Sequence, residues 1–134
     1  MSEQENTRLI QTAYDNFNSG NIEGLLAILS GDVDWNVPDI ENVPFAGRHN
    51  GREQVGQFFA RMGDEQEAVE LEPKEYIAHG DKVVVLGHYS WRVKSTGRSF
   101  EGDWAHVFTV RDGEVVRFQE YTDTAAAAAA YRKR

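Results

Sequence analysis

The 134 residues contain no cysteine. That removes disulfide bridges, thiol nucleophiles and cysteine-held zinc from consideration. Basic residues are scarce too: 14 Lys and Arg stand against 22 Asp and Glu, a formal net charge of −8. A nucleic acid or an anionic membrane needs a concentrated basic face, so neither is an expected partner. The one basic run, Arg132-Lys133-Arg134, reads as a helix C-terminus complementing its backbone dipole. No stretch approaches the ~20 apolar residues of a membrane span. The opening Met1-Ser2-Glu3-Gln4-Glu5 is acidic and polar, unlike a signal peptide. A cytoplasmic protein is the expectation. The four histidines, His49, His79, His88 and His106, show no metal-ligand spacing, and no phosphate-binding loop or nucleophile elbow occurs. Neither metal nor cofactor is expected.

What is present is an ordinary globular balance, 40% hydrophobic and 27% charged, in a chain long enough for one domain, residues 1–134, with a core of its own. Leu9, Ile10, Ala13, Tyr14 and Phe17 share one face of a helix over residues 4–18. Ser19-Gly20 ends it, and Asn21 can cap a shorter helix through about Leu29. Val33 to Val37 reads as a short strand carrying Trp35. From Pro38 to His49 the chain is irregular, long enough to cover an opening. Asn50 is placed to cap a third helix, with Glu53 at the capping-box position and Gly63-Asp64-Glu65 as its end. Four segments rich in β-branched and aromatic residues follow, at 69–78, 82–94, 99–110 and 114–122, separated by tight-turn chemistry. They predict an antiparallel meander. Asp123 or Thr124 caps a short last helix through the run Ala125 to Ala130, a docked lid or a frayed tail.

The predicted fold is therefore α+β: three N-terminal helices on a curved, mainly antiparallel sheet, with a short C-terminal helix. Such a sheet closed by helices leaves a cone whose wide end is a pocket. The stretch FEGDWAHVFTVRDGEVVRFQEY, Phe100 to Tyr121, supplies its most informative wall. A two-residue turn at Asp112-Gly113 would set His106 opposite Gln119. A three-residue turn with Gly113 in a bulge pairs Val110 with Glu114, so that Trp104 faces Glu120, His106 faces Phe118 and Phe108 faces Val116. The second register gives one clean aromatic face and is the expected one. A bulged turn at Ser95-Thr96-Gly97 would likewise bring His88 inward opposite Trp104. Asp34 alternates outward from Trp35. His49 and His79 are expected at the surface.

The segments FNSGN (17–21), LLAILSGDVDW (25–35), Pro38, FAGRHNGREQVGQFF (45–59), WAHVFTVRDGEVVRF (104–118) and EYTDT (120–124) resemble the NTF2-like (cystatin-like) superfamily. Within it they are closest to the SnoaL-like branch related to ketosteroid isomerases. The resemblance covers nearly the whole chain and implies the cone fold, but that fold hosts many functions. Ketosteroid isomerases use a tyrosine, an aspartate base and a protonated aspartic acid. Their positions fall near Ala13, Val37 and Ala105, which carry no such groups; Tyr14 is one residue, about 100° of helix, from the first. SnoaL-like cyclases use a histidine and an acid on the last two long strands, where His106 and Glu120 stand. Epoxide hydrolases of the superfamily use two aspartates bridged by an arginine; only Arg92 suggests itself.

These residues lead to a SnoaL-like protein binding a small, largely apolar molecule, aromatic or carbonyl-bearing, with cofactor-independent proton abstraction next to a carbonyl. His106 is the expected base and Glu120 its orienting partner or acid. Trp35, Trp104, Phe108, Phe118, His88 and Tyr14 are the expected ligand-binding residues. The competing readings are a non-catalytic binding or dimerisation module and an epoxide hydrolase-like enzyme. The resemblance also implies a homodimer through the outer face of the sheet, where Tyr89, Trp91 and Tyr121 are expected.

Overall fold

A computed structural model describes residues 2–132 of the chain. Helix α1 (Glu3–Asn18) starts from a capping box in which Ser2 and Glu5 each accept the other's backbone N–H. It buries Ile10, Ala13 and Tyr14. A short helix α2 (Ile22–Ala27), capped by the Asn21 side chain, leads into strand β1 (Leu29–Asn36). The irregular segment returns as a three-residue strand β2 (Arg48–Asn50) paired with β1, which its local sequence does not signal. Helix α3 (Arg52–Glu65) follows at once. Its cap is not Asn50, which lies in β2 and gives its backbone N–H to Gln54; Gly51 holds the cap position without a side-chain bond. The helix ends at Glu65, the last residue of the expected Gly63-Asp64-Glu65 stop, and leads straight into β3.

The meander is β3 (Gln66–His79), β4 (Lys82–Val93), β5 (Ser99–Arg111) and β6 (Glu114–Tyr121). Strand β1 joins it parallel to β6 and closes a sheet of order β2-β1-β6-β5-β4-β3. Helix α4 (Thr124–Tyr131), capped by the Asp123 carboxylate, ends the described chain. It is docked: Ala127, Ala130 and Tyr131 are buried, and Thr96 and Arg98 donate to the carbonyls of Ala130 and Ala129 at 2.7 and 3.0 Å. Of the basic run, Lys133 and Arg134 lie outside the described residues. No described helix is long and apolar enough to cross a membrane.

Two registers decide which side chains face inward. At Asp112-Gly113 both residues have positive φ, +51° and +77°, the geometry of a two-residue turn that matches strand twist. Arg111 therefore pairs with Glu114, not Val110. The expected bulge at Gly113 is absent; the irregularity lies within the strands, where Thr109 pairs with Arg117 and Val110 with Val115, leaving Val116 as the extra residue. That residue resets the alternation, so Phe108 faces Phe118 and His106 faces Glu120 directly.

The β4–β5 turn departs further. Val93 and Arg98 bond to each other around a four-residue loop, Lys94 to Gly97. The strands then pair without interruption, with Gly87 opposite Trp104 and His88 opposite Asp103. A shift of one residue turns the whole strand over. His88 lies on the outer face, bonded to Asp103 at 3.0 Å. Tyr89 and Trp91, expected outside, are buried on the inner face beside Val83, Val85 and Val93. Tyr121 is exposed as expected, at 59%.

Candidate functional site

The inner face of β5 presents Trp104, His106 and Phe108, and helix α1 lays Tyr14 across them. The Trp104 indole stacks on the His106 ring, centroids 3.9 Å apart, and Tyr14 lies parallel to the imidazole within 2°. Such close packing is possible because residue 87 is glycine. A Cβ there would stand 2.4 Å from the indole and 2.5 Å from the Glu72 carbonyl, inside contact distance of both. Stacked pairs of this kind are worth ~0.5–1.5 kcal/mol beyond their burial. They also fix the imidazole plane.

With the ring so held, both of its nitrogens are engaged. Nδ1 lies 2.6 Å from the Tyr14 hydroxyl and Nε2 lies 2.9 Å from Glu120 Oε2. A carboxylate only accepts, so Nε2–H donates to Glu120; Nδ1 of the neutral ring then accepts the Tyr14 O–H. Burial, followed by the charges of Tyr76 and Glu120, holds the Tyr14 hydroxyl well above its ordinary value of 10.0. It remains a donor at neutral pH. Tyr14, His106 and Glu120 thus form one directed chain from α1 through β5 to β6. His106 is 6% exposed, and the Glu120 side chain keeps 16%.

This chain borders a cavity of about 100 Å³ between the helices and the sheet, room for several waters or a small ring. The loop from Pro38 to Gly47 covers one side with Ile40, Val43 and Phe45, and α3 adds Phe58, Phe59 and Met62. Ala127 and Tyr131 of α4 line it as well. Among the expected residues, Tyr14, Trp35, His106, Phe108, Phe118 and Glu120 reach the cavity; Trp35 stacks on Phe118 at 3.9 Å. Trp104 does not. It sits behind His106, its ring turned toward Gly87, and backs the site without lining it. His88 is outside altogether.

Sequence reasoning missed Tyr89, Trp91, Gln66 and Tyr131, all of which line the cavity. The Tyr131 hydroxyl donates to Gln66 Oε1 at 2.5 Å, and Tyr89 bonds to the Thr122 hydroxyl. A signal for two of them was in the chain. In KVVVLGHYSWRV, the odd positions Val83, Val85, Tyr89, Trp91 and Val93 are apolar or aromatic, while His88, Ser90 and Arg92 alternate with them. Arg92 consequently faces outward, paired with Glu67 at 3.3 Å. The cavity lining contains no Asp and no Arg among the described residues. Asp34 is on the outer side but not free. Arg48 grips it through two bonds of 3.0 and 3.1 Å and lowers its carboxyl below the ordinary value of 3.8. His49 is half-buried against Phe58, with Nε2 bonded to the Phe45 carbonyl; His79 is exposed.

Comparison with known proteins fits this geometry. The model of the SnoaL-like domain matches residues 10–118, from the middle of α1 to the middle of β6. The chain belongs to the SnoaL-like domain family. Solved structures resemble this SnoaL-like domain over nearly their full lengths. An NTF2-like protein of Burkholderia xenovorans LB400 is 36% identical, with a TM-score of 0.89, over 98% of this chain and 99% of that one. An NTF2-like protein of unknown function from Burkholderia pseudomallei K96243 is 28% identical, TM-score 0.86, covering 99% and 100%. TerC, co-crystallised with polyporic acid, is 29% identical, TM-score 0.82, covering 96% and 99%. No curated protein matches the chain.

Proposed function

We propose that this SnoaL-like protein binds a small, largely apolar carbonyl compound in the cone and removes a proton from the carbon next to the carbonyl. The observation that carries this reading is the directed chain Tyr14–His106–Glu120, whose carboxylate end borders a largely apolar cavity. A similar structure, TerC, holds an organic small molecule, polyporic acid, which supports a ligand of that kind here.

The division of labour differs from the one expected on sequence. His106 has no free lone pair, since Nδ1 accepts from Tyr14 and Nε2 donates to Glu120. The base is therefore Glu120, through Oε1, the oxygen that His106 does not hold, and His106 orients it. Proton abstraction leaves an enolate. Glu120 then returns the proton at another carbon, an isomerisation, or to the alkoxide formed when the enolate attacks a second carbonyl, a ring closure. An epoxide hydrolase-like reaction finds no support, because the lining lacks, among the described residues, the aspartates and arginine that it needs. A homodimer through the outer face of the sheet goes with this reading. Leu86, Ala105 and Tyr121 are neighbours there across three strands, and Leu86 and Tyr121 are exposed. Sedimentation as a monomer at micromolar concentration would remove that part.

A substrate-independent assay is hydrogen–deuterium exchange at the carbon next to the carbonyl of 2-tetralone, followed by NMR in D2O. The protein should accelerate exchange, and Glu120→Gln should abolish it. His106→Ala should slow it by about 10²-fold, the lower end for a positioned acid–base group. If tetralone binds but exchanges no faster than in buffer, the catalytic reading falls and a ligand-binding module remains.

A further inference from the structure

An enolate needs a hydrogen-bond donor on its oxygen, and the cavity has a limited supply. Three tyrosines line it, beside Trp35, whose indole N–H is buried without a partner. Tyr14 must spend its proton on His106 Nδ1. Tyr131 must spend its own on the Gln66 carbonyl oxygen, which can only accept. Tyr89 is different. Its partner is another hydroxyl, Thr122, and either oxygen of that pair can donate. When Thr122 donates, the Tyr89 proton is left for the cavity.

We propose that Tyr89 is a catalytic residue of this site, the donor that holds the carbonyl oxygen of the substrate while Glu120 takes the proton, with Thr122 as its positioning residue. The inference rests on the acid–base reading above and narrows its substrate class to compounds whose reacting carbonyl oxygen reaches Tyr89. Three observations support it. Tyr89 and Glu120 border the same cavity. The Tyr89 cross-strand neighbour on β5 is Gly102, which presents no side chain there. Burial, and after it the charge of Glu120, keeps the Tyr89 hydroxyl above its ordinary value of 10.0, so it donates a hydrogen bond without losing its proton. In the step itself the C–H proton passes to the Glu120 carboxylate. The electron pair of that bond moves into the carbonyl, and the resulting enolate oxygen accepts the Tyr89 O–H. No proton leaves Tyr89 and no co-reactant is needed.

The test uses 4-nitrophenol, whose absorbance distinguishes phenol from phenolate, as a stand-in for the enolate. The background is Glu120→Gln, which mimics the protonated base and removes its repulsion of an anion. In that background the bound probe should ionise at lower pH than in buffer. Adding Tyr89→Phe should weaken phenolate binding by about tenfold or more, the effect of one hydrogen bond to a charged group, and return the probe's ionisation toward its buffer value. Thr122→Val should do the same to a smaller degree, while the melting temperature of each variant identifies any that fails to fold. Phenolate bound equally well by Glu120→Gln and by Glu120→Gln/Tyr89→Phe overturns the role of Tyr89 and leaves the acid–base reading standing. No binding by any folded variant overturns the cavity reading, and this inference with it.

Discussion

In the β5–β6 hairpin the turn is two residues long and the odd residue sits in the strand, at Val116. In the β4–β5 hairpin the strands pair without interruption and the adjustment is made in the loop, which is four residues long. The turn chemistry looks similar in the two sequences, with a glycine of positive φ closing each, Gly113 and Gly97. The result is nevertheless the same in both. The aromatic and β-branched side chains face the helices, and the polar ones face out. Burial of apolar area, about 25 cal/mol per Å², outweighs the small differences between turn types. The turn is the adaptable part of a hairpin, and the pattern of the strands sets its register.

Reversing that order of importance would have large consequences, which gives the strongest test. Trp91→Asp places a charge on the inner face of β4 and should cost ~4 kcal/mol or more, enough to abolish cooperative unfolding in urea. His88→Asp on the neighbouring outer position breaks the bond to Asp103 and sets two carboxylates opposite each other, which should cost only about 1 kcal/mol. Equal effects would mean that β4 is not held in this register.

Next in size is the contact that helix α1 makes with the imidazole on β5. Tyr14→Phe leaves His106 Nδ1 buried without its donor. The expected loss is ~1–3 kcal/mol by urea denaturation, with slower tetralone exchange, because the imidazole is no longer fixed.

Deleting Val116 should do less. Without it the strands pair in plain alternation after the two-residue turn, and His106 still meets Glu120. We expect a cost of about 1 kcal/mol, in the middle of the range for single changes, with exchange activity retained. Loss of activity in a folded deletion variant would show that the twist of the bulge, and not the pairing alone, aims Glu120.

The smallest effect at ordinary pH appears only under alkaline conditions. Tyr14, Tyr89 and Tyr131 are all held above 10.0, chiefly by burial. A raised folded value means that their contribution is present in full below pH 10. It declines as the pH climbs from there toward the higher folded values, since the unfolded chain ionises first. Each contributes at most ~1.4 kcal/mol per pH unit to the slope. Tyr89→Phe should make the alkaline decline shallower by one proton's worth, measured by urea unfolding between pH 9 and 11.

Much of the fold was legible before any coordinates. The capped helices, the meander and the aromatic wall follow from period and turn residues, because those signals act between near neighbours in sequence. The cap of α3 was misread for a related reason. Asn50 has the right side chain, but pairing with β1 had already engaged its segment, and no local pattern reveals a three-residue strand. His106 and Glu120 were recognisable as a pair, whereas the third member of their chain was seen only as a possible wall residue. Tyr14 is 92 residues from His106 in sequence, and the helix's angle across the sheet decides that contact.

By itself, then, the sequence determined the class of fold, the family, and a histidine and a carboxylate on the same wall. Tertiary structure alone decided which nitrogen of His106 faces which partner, that His106 bonds only one of the two Glu120 oxygens, and that Tyr89 belongs inside and His88 outside. The physical reason is one of range. Propensity and periodicity are summed along a few residues, while the facing of a strand and the direction of a hydrogen bond are set by what packs against them from elsewhere in the chain.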